Sequence, residues 1–461
     1  MRIIRPILLL AVFVLFFVSC KKDKLFTGNT SLKISEDTVW FDTIFTREPG
    51  SKYPISVTKM YSVRNTENAP VNVSFRLGGG KNSKYRINVD GLAGPEIKDL
   101  EIPAKDSVFV FVQCSLDANN QLNPLLIMDS LMSTVNGKEQ KTYLAAYGWD
   151  AHYFHSVALD CNETWTDKTK PFVLINDILV QKGCTFTIKE GVNIFCSART
   201  TLFVAGTLKI EGTAAAPVSF RGDKPGFDTE ELPNQWGSIY FTVGSSGSTV
   251  KYAKIHNATI GMRADSIPVG NPWNVEIENT EIMFCGQACV IGITANIRAM
   301  NCLFSQTGSY SFLGFLGGNY DFRHCTFASF VNYGTRQNGH FAITNTLRDD
   351  NGRIIRTQPL SCNMYNSIIY GSQAEELFID DKGSAAFVTD IKSNLIKSKT
   401  KSFAGNTWNL DPLFLDTKRN FGLDTLSPAI DAGMVLSPAI TIDIKGKTRS
   451  GLPDLGCFER Q

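Results

Sequence analysis

The sequence lacks an excess of charge of either sign, because 46 Lys and Arg residues stand against 44 Asp and Glu residues. A protein that binds nucleic acid usually carries a basic excess or a basic stripe, so the near balance argues against a nucleic-acid partner. Long amphipathic helical patterns are also lacking, whereas Gly (37) and Phe (31) are plentiful. This balance indicates a chain built mainly of strands.

The apolar run Ile7 to Val18 is too short to cross a membrane, which takes ~20 residues, but it has the length of a signal-peptide core. It ends at "FVSC", which resembles a bacterial lipobox, in which the Cys is acylated. The resemblance implies a lipoprotein signal peptide over 1–19, a lipid on Cys20, a tether over 20–30 and a place in the cell envelope at the outer membrane. An ordinary cleaved signal is the alternative.

Motifs for metals and cofactors are missing as well. The pair Cys285-x-x-x-Cys289 has no second pair or nearby His at the spacing of zinc sites. No Walker, Rossmann, G-x-S-x-G or H-E-x-x-H motif occurs. We therefore expect no metal and no cofactor. Most cysteines lie inside apolar strand patterns, where Cys acts as a small hydrophobe, although an even number of cysteines in an exported protein could also form disulfides. Both alternatives stay open for the set, and we expect thiols at Cys302 and Cys325.

Residues 31–152 contain short alternating strands such as "VNVSFRLGG", "YRINVDG" and "SVFVFVQCSL", separated by Gly, Pro and Asn turns. Roughly seven such strands in about 110 residues are typical of a β-sandwich. The passages "RNTENAPVNVSF" and "AAYGWDA" resemble the immunoglobulin-like domains that precede solenoids in Bacteroidetes surface proteins. The resemblance implies an immunoglobulin-like domain over this range.

From 157 to 415 the strands become shorter and follow one another rapidly, with breaks at glycines such as Gly183, Gly191 and Gly206. Three short strands per turn, punctuated by Gly, predict a parallel β-helix. "DILVQKGCTFTIKEGVNIFC" resembles the opening coils of right-handed β-helices of the pectin-lyase-like type. The sequence thus predicts an all-β chain, with a right-handed parallel β-helix behind an N-terminal β-sandwich.

An Asn returns at nearly constant spacing between apolar positions, as in "KIHNATI" and "EIENTEI". Asn tolerates the left-handed conformation that a tight corner requires, and amides on coils stacked ~4.8 Å apart can hydrogen-bond along the axis. We predict a structural ladder at Asn257, Asn279, Asn301 and Asn366. The full set of repeated positions is Asn257, Asn279, Asn301, His324, Asn345, Asn366 and Asn394, with gaps of 22, 22, 23, 21, 21 and 28 residues.

The last residues are rich in Pro and Asp. "NLDPLFLDTKRNFGLDTLSPAIDAG" and "DLGCFE" resemble the tail of many bacterial surface β-helix proteins. Solenoids need polar ends that prevent edge-to-edge stacking. These features predict a C-terminal capping segment over 416–461.

Right-handed β-helices of this type include polysaccharide lyases and hydrolases, so the resemblance raises the question of catalysis. Candidate residues are His340 in "QNGHF" and Asp349 and Asp350 in "RDDNGR". They stand in the wrong order for a polygalacturonase-like signature. An inverting hydrolase needs carboxylates ~6.5–9.5 Å apart, whereas adjacent acids in a Gly- and Asn-rich segment fit a loop turn. We predict no catalytic residues and keep a lyase or hydrolase based on these three as the alternative.

Aromatic residues near the loops between coils are the candidates for binding. Exposed rings stack on sugars, although such residues also cover coil ends. The candidates are Trp236, Trp273 and Trp408, with Tyr310, Tyr320 and Tyr333 beside them. The sequence favours a monomeric, lipid-anchored envelope protein with a non-catalytic binding or structural role, whose partners are the membrane and a polysaccharide.

Overall fold

The structure is a computed structural model that describes residues 24–46, 58–118, 125–224, 229–331, 336 and 339–460. Cys20, the predicted signal peptide and Tyr333 lie outside these residues. The chain divides after Trp149 into two compact units. Over the ranges just given, no helix combines the length and the apolar character needed to cross a membrane.

The first unit is a sandwich of two five-stranded sheets. Strands such as Val71–Leu77 alternate buried and exposed positions, so each sheet turns one apolar face toward the other. Buried Val, Leu, Ile and Phe side chains fill the space between them. The strands are β1 (Lys33–Ile34), β2 (Thr38–Phe45), β3 (Lys59–Arg64), β4 (Val71–Leu77), β5 (Tyr85–Val89), β6 (Leu92–Ala93), β7 (Glu96–Ile102), β8 (Ser107–Cys114), β9 (Leu125–Val135) and β10 (Lys138–Trp149), with a 3-10 turn at Gly80–Asn82.

One sheet of the sandwich has the order β1-β3-β8-β5-β6, and the other has the order β2-β10-β9-β4-β7. Hairpins join several of the antiparallel neighbours, such as β9 and β10, which meet through the turn at Asn136 and Gly137. The edge strand β2 runs parallel to β10. The predicted β-sandwich is confirmed.

The second unit is a right-handed parallel β-helix built on one 25-stranded parallel sheet that winds around an apolar core. Its strands are β11 (His152–Ala158), β12 (Thr164–Trp165), β13 (Phe172–Val180), β14 (Thr185–Lys189), β15 (Asn193–Cys196), β16 (Thr201–Val204), β17 (Thr207–Glu211), β18 (Val218–Gly222), β19 (Ser238–Phe241), β20 (Ser248–Lys251), β21 (Ala253–His256), β22 (Ile260–Asp265), β23 (Val275–Glu278), β24 (Glu281–Cys285), β25 (Ala288–Met300), β26 (Leu303–Thr307), β27 (Tyr310–Arg323), β28 (Thr326–Ser329), β29 (Phe341–Thr344), β30 (Thr346–Arg348), β31 (Ile354–Thr357), β32 (Leu360–Tyr365), β33 (Ile368–Gly371), β34 (Leu377–Asp380), β35 (Phe387–Lys392), β36 (Leu395–Ile396) and β37 (Thr407–Trp408).

The strands of successive coils stack in register and form three faces, which we name sheets 1, 2 and 3. Long strands such as β25 and β27 turn a corner and contribute to two faces. Sheet 1 contains β16, β19, β22, the first halves of β25 and β27, β29 and β34. Sheet 2 contains β12, β14, β17, β20, β23, the second halves of β25 and β27, β32 and β35. Sheet 3 contains β15, β18, β21, β24, β26, β28, β33, β36 and β37.

The inward positions of each sheet form columns of apolar side chains along the axis. In sheet 2 the register stacks Ile210, Val250, Ile277, Ala299 and Phe322, and all five are buried. Burial of one large aliphatic or aromatic side chain contributes ~1.5–3 kcal/mol. Because every coil repeats the pattern, the core grows with the number of coils, as in other solenoids.

The residues from 410 to 460, which we call the C-terminal segment, lie along the flank of the solenoid on sheet 3. The outward face of sheet 3 is apolar at Met283, Leu303 and Ala328, and Phe421 and Phe458 pack against it. Five further residues form a second apolar cluster under this segment, namely Ile368, Leu395, Leu423, Ala429 and Leu455. The prediction of an end cap over 416–461 is therefore wrong in its placement, because the apolar outer face of sheet 3 needs cover.

Cysteines follow two patterns. Cys161 and Cys184 form a disulfide, with Cα atoms 4.8 Å apart and a separation of 23 residues. Cys161 lies in a turn and Cys184 directly follows one, so this pair departs from the pattern of cysteines inside strands. Cys302 and Cys325, which are also one coil apart, are buried thiols as expected.

Candidate functional site

The three residues of the catalytic alternative occupy unlike environments. His340 is fully buried, whereas Asp350 is exposed at the turn that joins β30 to β31. Asp349 accepts hydrogen bonds from the backbone N–H groups of Asn351 (3.0 Å) and Arg353 (2.8 Å), which hold the hairpin turn. Hydrogen bonds from Arg353 lower the pKa of Asp349. The hairpin aspartates are thus turn residues, as the adjacent-acid pattern indicates.

His340 belongs to a polar network sealed inside the solenoid. Its Nδ1 lies 2.5 Å from the Ser311 Oγ, and its Nε2 lies 3.1 Å from the Tyr370 carbonyl and 3.8 Å from Glu376. Arg336 Nη1 donates to Glu376 over 2.8 Å. Ser, His and Glu in a row resemble a nucleophile with its base, but Ser311, His340 and Glu376 are each 0% exposed. Burial of all three side chains in the described part of the chain favours a structural role for this network.

The tryptophans predicted to bind a ligand separate into core and surface. Trp236 is 1% exposed, and its Nε1 donates to the His256 carbonyl over 2.8 Å, so its prediction as a binding residue is wrong. Trp408 is half-buried and packs against the core at the last coil. Trp273 is half-buried in the loop that leads into sheet 2, and it remains a candidate.

A column of left-handed residues marks the corner between sheets 2 and 3. The φ angles are 48° at Asn279, 50° at Asn301, 51° at His324 and 52° at Asn366, so these predicted corner conformations are confirmed. Tyr252 (48°) and Ser393 (55°) continue the column. Backbone bonds join successive coils here, for example from Asn279 N–H to the Met300 carbonyl (3.0 Å).

Asn257 does not belong to this column. It also has a left-handed φ of 67°, but it lies between β21 and β22, at the corner from sheet 3 to sheet 1. The spacing of 22 residues to Asn279 joins two different corners, since any left-handed corner accepts Asn. Its prediction as a ladder member is wrong.

The column side chains bind the C-terminal segment rather than forming a ladder of amides. Asn301 donates to the Ile442 carbonyl (2.8 Å) and accepts from Arg449 (2.9 Å). Asn366 donates to the Met434 carbonyl (2.7 Å) and accepts from the Met434 N–H (2.9 Å), and its Nδ2 also lies 2.9 Å from His324 Nε2. The corner therefore anchors the segment that covers sheet 3.

The outward face of sheet 2 carries charged side chains in two columns, with one step per coil. Neighbouring members form ion pairs, such as Lys251 with Glu278 (2.9 Å) and Arg323 with Asp321 (2.9 Å). The basic members are Lys189, Lys209, Lys251, Arg298, Arg323 and Lys392, and the acidic members are Glu211, Glu276, Glu278, Asp321 and Asp390. Six basic and five acidic groups leave this face almost neutral.

Trp273 adds an aromatic ring to this face. The ring lies 4.5 Å from the Arg298 guanidinium. Arg298 in turn donates to Glu276 (3.0 Å) and lies 3.6 Å from Asp321, which accepts two hydrogen bonds of 2.9 Å from Arg323. Planar charged groups that hold one another have little freedom left to lose when a ligand binds. A ring beside fixed donors and acceptors is the chemistry that recognises a sugar.

One carboxylate of sheet 2, that of Asp390, is poorly suited to acid catalysis. Hydrogen bonds from Lys392 and from the Tyr365 hydroxyl lower the pKa of Asp390. A general acid in glycoside hydrolysis needs a raised pKa instead. Among the described residues, no group of three or more His, Cys, Asp or Glu side chains is placed to hold a metal ion.

A second aromatic surface lies on the sandwich and was missed in the sequence. Trp40 is 43% exposed, and its ring centroid lies 5.5 Å from that of Tyr147. Tyr143, Leu126 and Met128 are exposed as well. The signal was available, because the alternation of β10 puts Tyr143 and Tyr147 on the face opposite to Leu144 and Ala146.

No protein-family model matches the sequence, and no curated protein matches it. Among solved structures, pectate lyase Pel9A matches 68% of this chain and 88% of its own, at 11% identity and a TM-score of 0.32. The catalytic unit of the GH87 α-1,3-glucanase from Streptomyces thermodiastaticus strain HF3-3 matches 73% and 74%, at 13% identity and a TM-score of 0.29. Likenesses at this level concern the fold and not the activity.

Other solved structures match about a quarter of the chain. A family 123 glycoside hydrolase from Clostridium perfringens matches 26% of this chain at 10% identity and a TM-score of 0.20, and the chain spans 27% of that structure. The chaperone YadV matches 26% at 12% identity and a TM-score of 0.17, and the chain spans 51% of it.

Proposed function

We propose that this protein is a non-catalytic envelope protein that binds neutral polysaccharide along sheet 2 of its solenoid. The observation that carries the proposal is the Trp273 ring on Arg298, within a face whose polar groups recur once per coil. Coils stack ~4.8 Å apart, which is close to the advance of one hexose in an extended glycan. Successive sugars of one chain therefore meet successive rows of side chains.

The charge pattern favours a neutral glycan over a polyanion. A polyuronate would need a cationic face, whereas the basic groups here are offset by acidic neighbours such as Glu276 and Glu278. Guanidinium and carboxylate groups each offer two parallel hydrogen-bonding positions, which suit vicinal hydroxyls. Binding should accordingly change little between low and high salt, because no net charge is neutralised.

Replacing Trp273 by Ala is expected to weaken polysaccharide binding about tenfold, which corresponds to ~1.4 kcal/mol. The variant loses a stacking surface and the cation–π contact that orients Arg298. The thermal midpoint of unfolding should fall little, since Trp273 is half-buried in a loop. Isothermal titration of the detergent-solubilised full chain with soluble neutral glucans, together with an assay for released reducing ends, measures both properties.

The matched control is Trp40→Ala, which removes an exposed tryptophan from the sandwich. It should leave binding unchanged. If Trp40→Ala weakens binding and Trp273→Ala does not, the glycan site is on the sandwich and the proposal for sheet 2 is wrong. If reducing ends are released by the wild-type protein, the lyase or hydrolase alternative takes its place.

We also propose that Cys20 carries a lipid and that the sandwich, which follows this anchor in the chain and precedes the solenoid, is an immunoglobulin-like domain. The support is the "FVSC" sequence at the end of the apolar run, followed by the polar residues "KKDK". Two acyl chains together with a third on the amine bind a membrane firmly, because each buried methylene contributes ~0.8 kcal/mol.

Replacing Cys20 by Ala is expected to move the protein from the detergent-extracted membrane fraction to the soluble fraction. Fractionation of cells that express either form, with labelling by a fatty-acid analogue, measures the change. Ser19→Ala, which leaves the acylated thiol in place, is the control and should stay in the membrane. An unlabelled wild-type protein would show that the signal is an ordinary cleaved one.

A further inference from the structure

A pocket of about 640 Å³ opens between sheet 3 and the C-terminal segment, near the corner with sheet 2. Ala253, Lys254 and Glu281 form its wall on the solenoid, and Lys445 and Phe458 form its wall on the C-terminal segment. Tyr252 and Asn279 reach it from the corner column. The volume falls within the range of sites for small molecules.

The column of left-handed residues at the corner between sheets 2 and 3 passes the pocket. At this point the C-terminal segment, over its described residues, no longer supplies hydrogen-bond partners to the column side chains. At Asn301 and Asn366 the C-terminal segment supplies carbonyl and N–H groups to the column side chains. At Asn279, the next position along the column, the buried side-chain Oδ1 has no hydrogen-bond partner among the residues that the structure describes. A buried amide oxygen without a partner destabilises the fold, and a ligand hydroxyl group that donates to it removes this cost.

The positively charged side chains of the pocket differ in whether they form ion pairs. Arg419 donates to Glu230 (2.9 Å) and Glu231 (2.6 Å). Within the described part of the chain, the ammonium groups of Lys254 and Lys445 form no ion pair, although Lys445 lies 5.2 Å from the centre of the Phe458 ring. These two ammonium groups are free to bind an anion.

Glu281 is the acidic group of the pocket, and its Oε1 lies 2.7 Å from His256 Nε2. Burial favours its neutral form, but the hydrogen bond with His256 and the charges of His256, Lys254 and Lys445 outweigh burial and lower its pKa. Glu281 therefore stays ionised at neutral pH. An ionised carboxylate accepts hydrogen bonds from hydroxyl groups and repels multiply charged anions.

We propose that this pocket binds a sugar that carries one carboxylate, of the uronic acid class. Lys254 and Lys445 would bind the carboxylate, and Asn279, Glu281 and the Tyr252 hydroxyl would bind the ring hydroxyls. The site is independent of the proposed glycan surface on sheet 2 and goes beyond it. One carboxylate suits two free ammonium groups beside Glu281 better than a phosphate dianion does.

The test is isothermal titration of the detergent-solubilised full chain at low salt with glucuronic acid, galacturonic acid, glucose and inorganic phosphate. At least one of the two uronates should bind, and glucose and phosphate should bind at least tenfold more weakly. High salt should weaken the uronate binding, because the ammonium groups are near the surface. Lys254→Met and Lys445→Met, which keep the apolar stem and remove the charge, should each weaken it tenfold or more.

Lys251→Met is the control, since Lys251 is already paired with Glu278 on sheet 2 (2.9 Å). It should leave uronate binding unchanged, as should Trp273→Ala. Phosphate that binds as tightly as the uronates would reduce the site to a general anion site and overturn the proposal. So would equal binding of glucose, an unchanged affinity in both lysine variants, or no heat with either uronate. Glucose is also titrated into the Trp273→Ala protein, which separates glucose bound on sheet 2 from glucose bound in the pocket.

Discussion

Replacing Glu459 by Ala is expected to lower the free energy of unfolding of the solenoid by ~3–5 kcal/mol and to release the C-terminal segment. Glu459 and Arg449 form an ion pair of 3.0 Å, and their side chains are 2% and 3% exposed. Glu459 also accepts hydrogen bonds from the backbone N–H groups of Ser450 (3.1 Å) and Asp454 (3.0 Å). The variant leaves the Arg449 guanidinium buried without its counter-charge, and the segment that holds it should detach from sheet 3.

Chemical denaturation measures the loss of stability, and hydrogen exchange or limited proteolysis reports the release of the segment. Glu230→Ala is the matched control, because Glu230 pairs with Arg419 over 2.9 Å at the surface, with side chains 46% and 48% exposed. That change should cost no more than ~1 kcal/mol. If the two variants lower the free energy of unfolding equally, the buried ion pair does not hold the C-terminal segment on sheet 3.

The general architecture could be predicted because it repeats. In each coil the core is formed by apolar residues at alternate positions, and the breaks between strands require Gly or Asn. Local sequence patterns are therefore sufficient to predict the solenoid. Asn279, Asn301 and Asn366 have the predicted left-handed conformation for this reason. Asn257 does not fit, because spacing along the chain cannot tell one corner of a coil from another.

That the C-terminal segment covers sheet 3 could not be predicted from the sequence, for a different reason. Density of Pro and Asp suggests a cap, but it does not say which surface the segment covers. The informative signal lay in the strands themselves: β26 and β28 are buried at every position, unlike the alternating strands β20 and β23. A strand buried on both faces needs a second layer, and the C-terminal segment is that layer.

The candidate sites depend on which residues of successive coils are stacked as neighbours, and this register cannot be read from the sequence. Glu276, Arg298 and Asp321 are 22 and 23 residues apart, and only the register of β23, β25 and β27 makes them neighbours. Trp236 reads as a loop residue beside Gly237, yet its side chain enters the core next to Phe220. Burial of a side chain outside regular strands is set by tertiary packing and not by local pattern.

Two buried histidines make the solenoid sensitive to acid. Burial lowers the pKa of His340 to about 4, because the facing carboxylate of Glu376 only partly offsets the loss of water. Burial also lowers the pKa of His324 to about 3, and the positive charge of Arg449 acts in the same direction. Both imidazoles are thus neutral in the folded protein at pH values where they take up a proton in the unfolded chain.

The unfolded chain binds more protons than the folded protein between the ordinary His pKa of ~6.5 and the lowered values, so stability falls as the pH falls through this window. At about pH 5 each of these two histidines is expected to cost ~2 kcal/mol relative to neutral pH. Chemical denaturation of the solenoid from about pH 7 to about pH 5, above the range where most carboxylates titrate, measures the slope.

His324→Asn is the decisive variant, because Asn occupies the equivalent left-handed position at Asn301 and Asn366 and does not titrate. It should remove about half of the loss assigned to the two histidines while leaving the fold intact at neutral pH. A slope that His324→Asn does not alter would mean that this imidazole becomes protonated inside the folded corner. The Asn366 amide, which donates to the neutral Nε2, would then have to rotate or give up that bond.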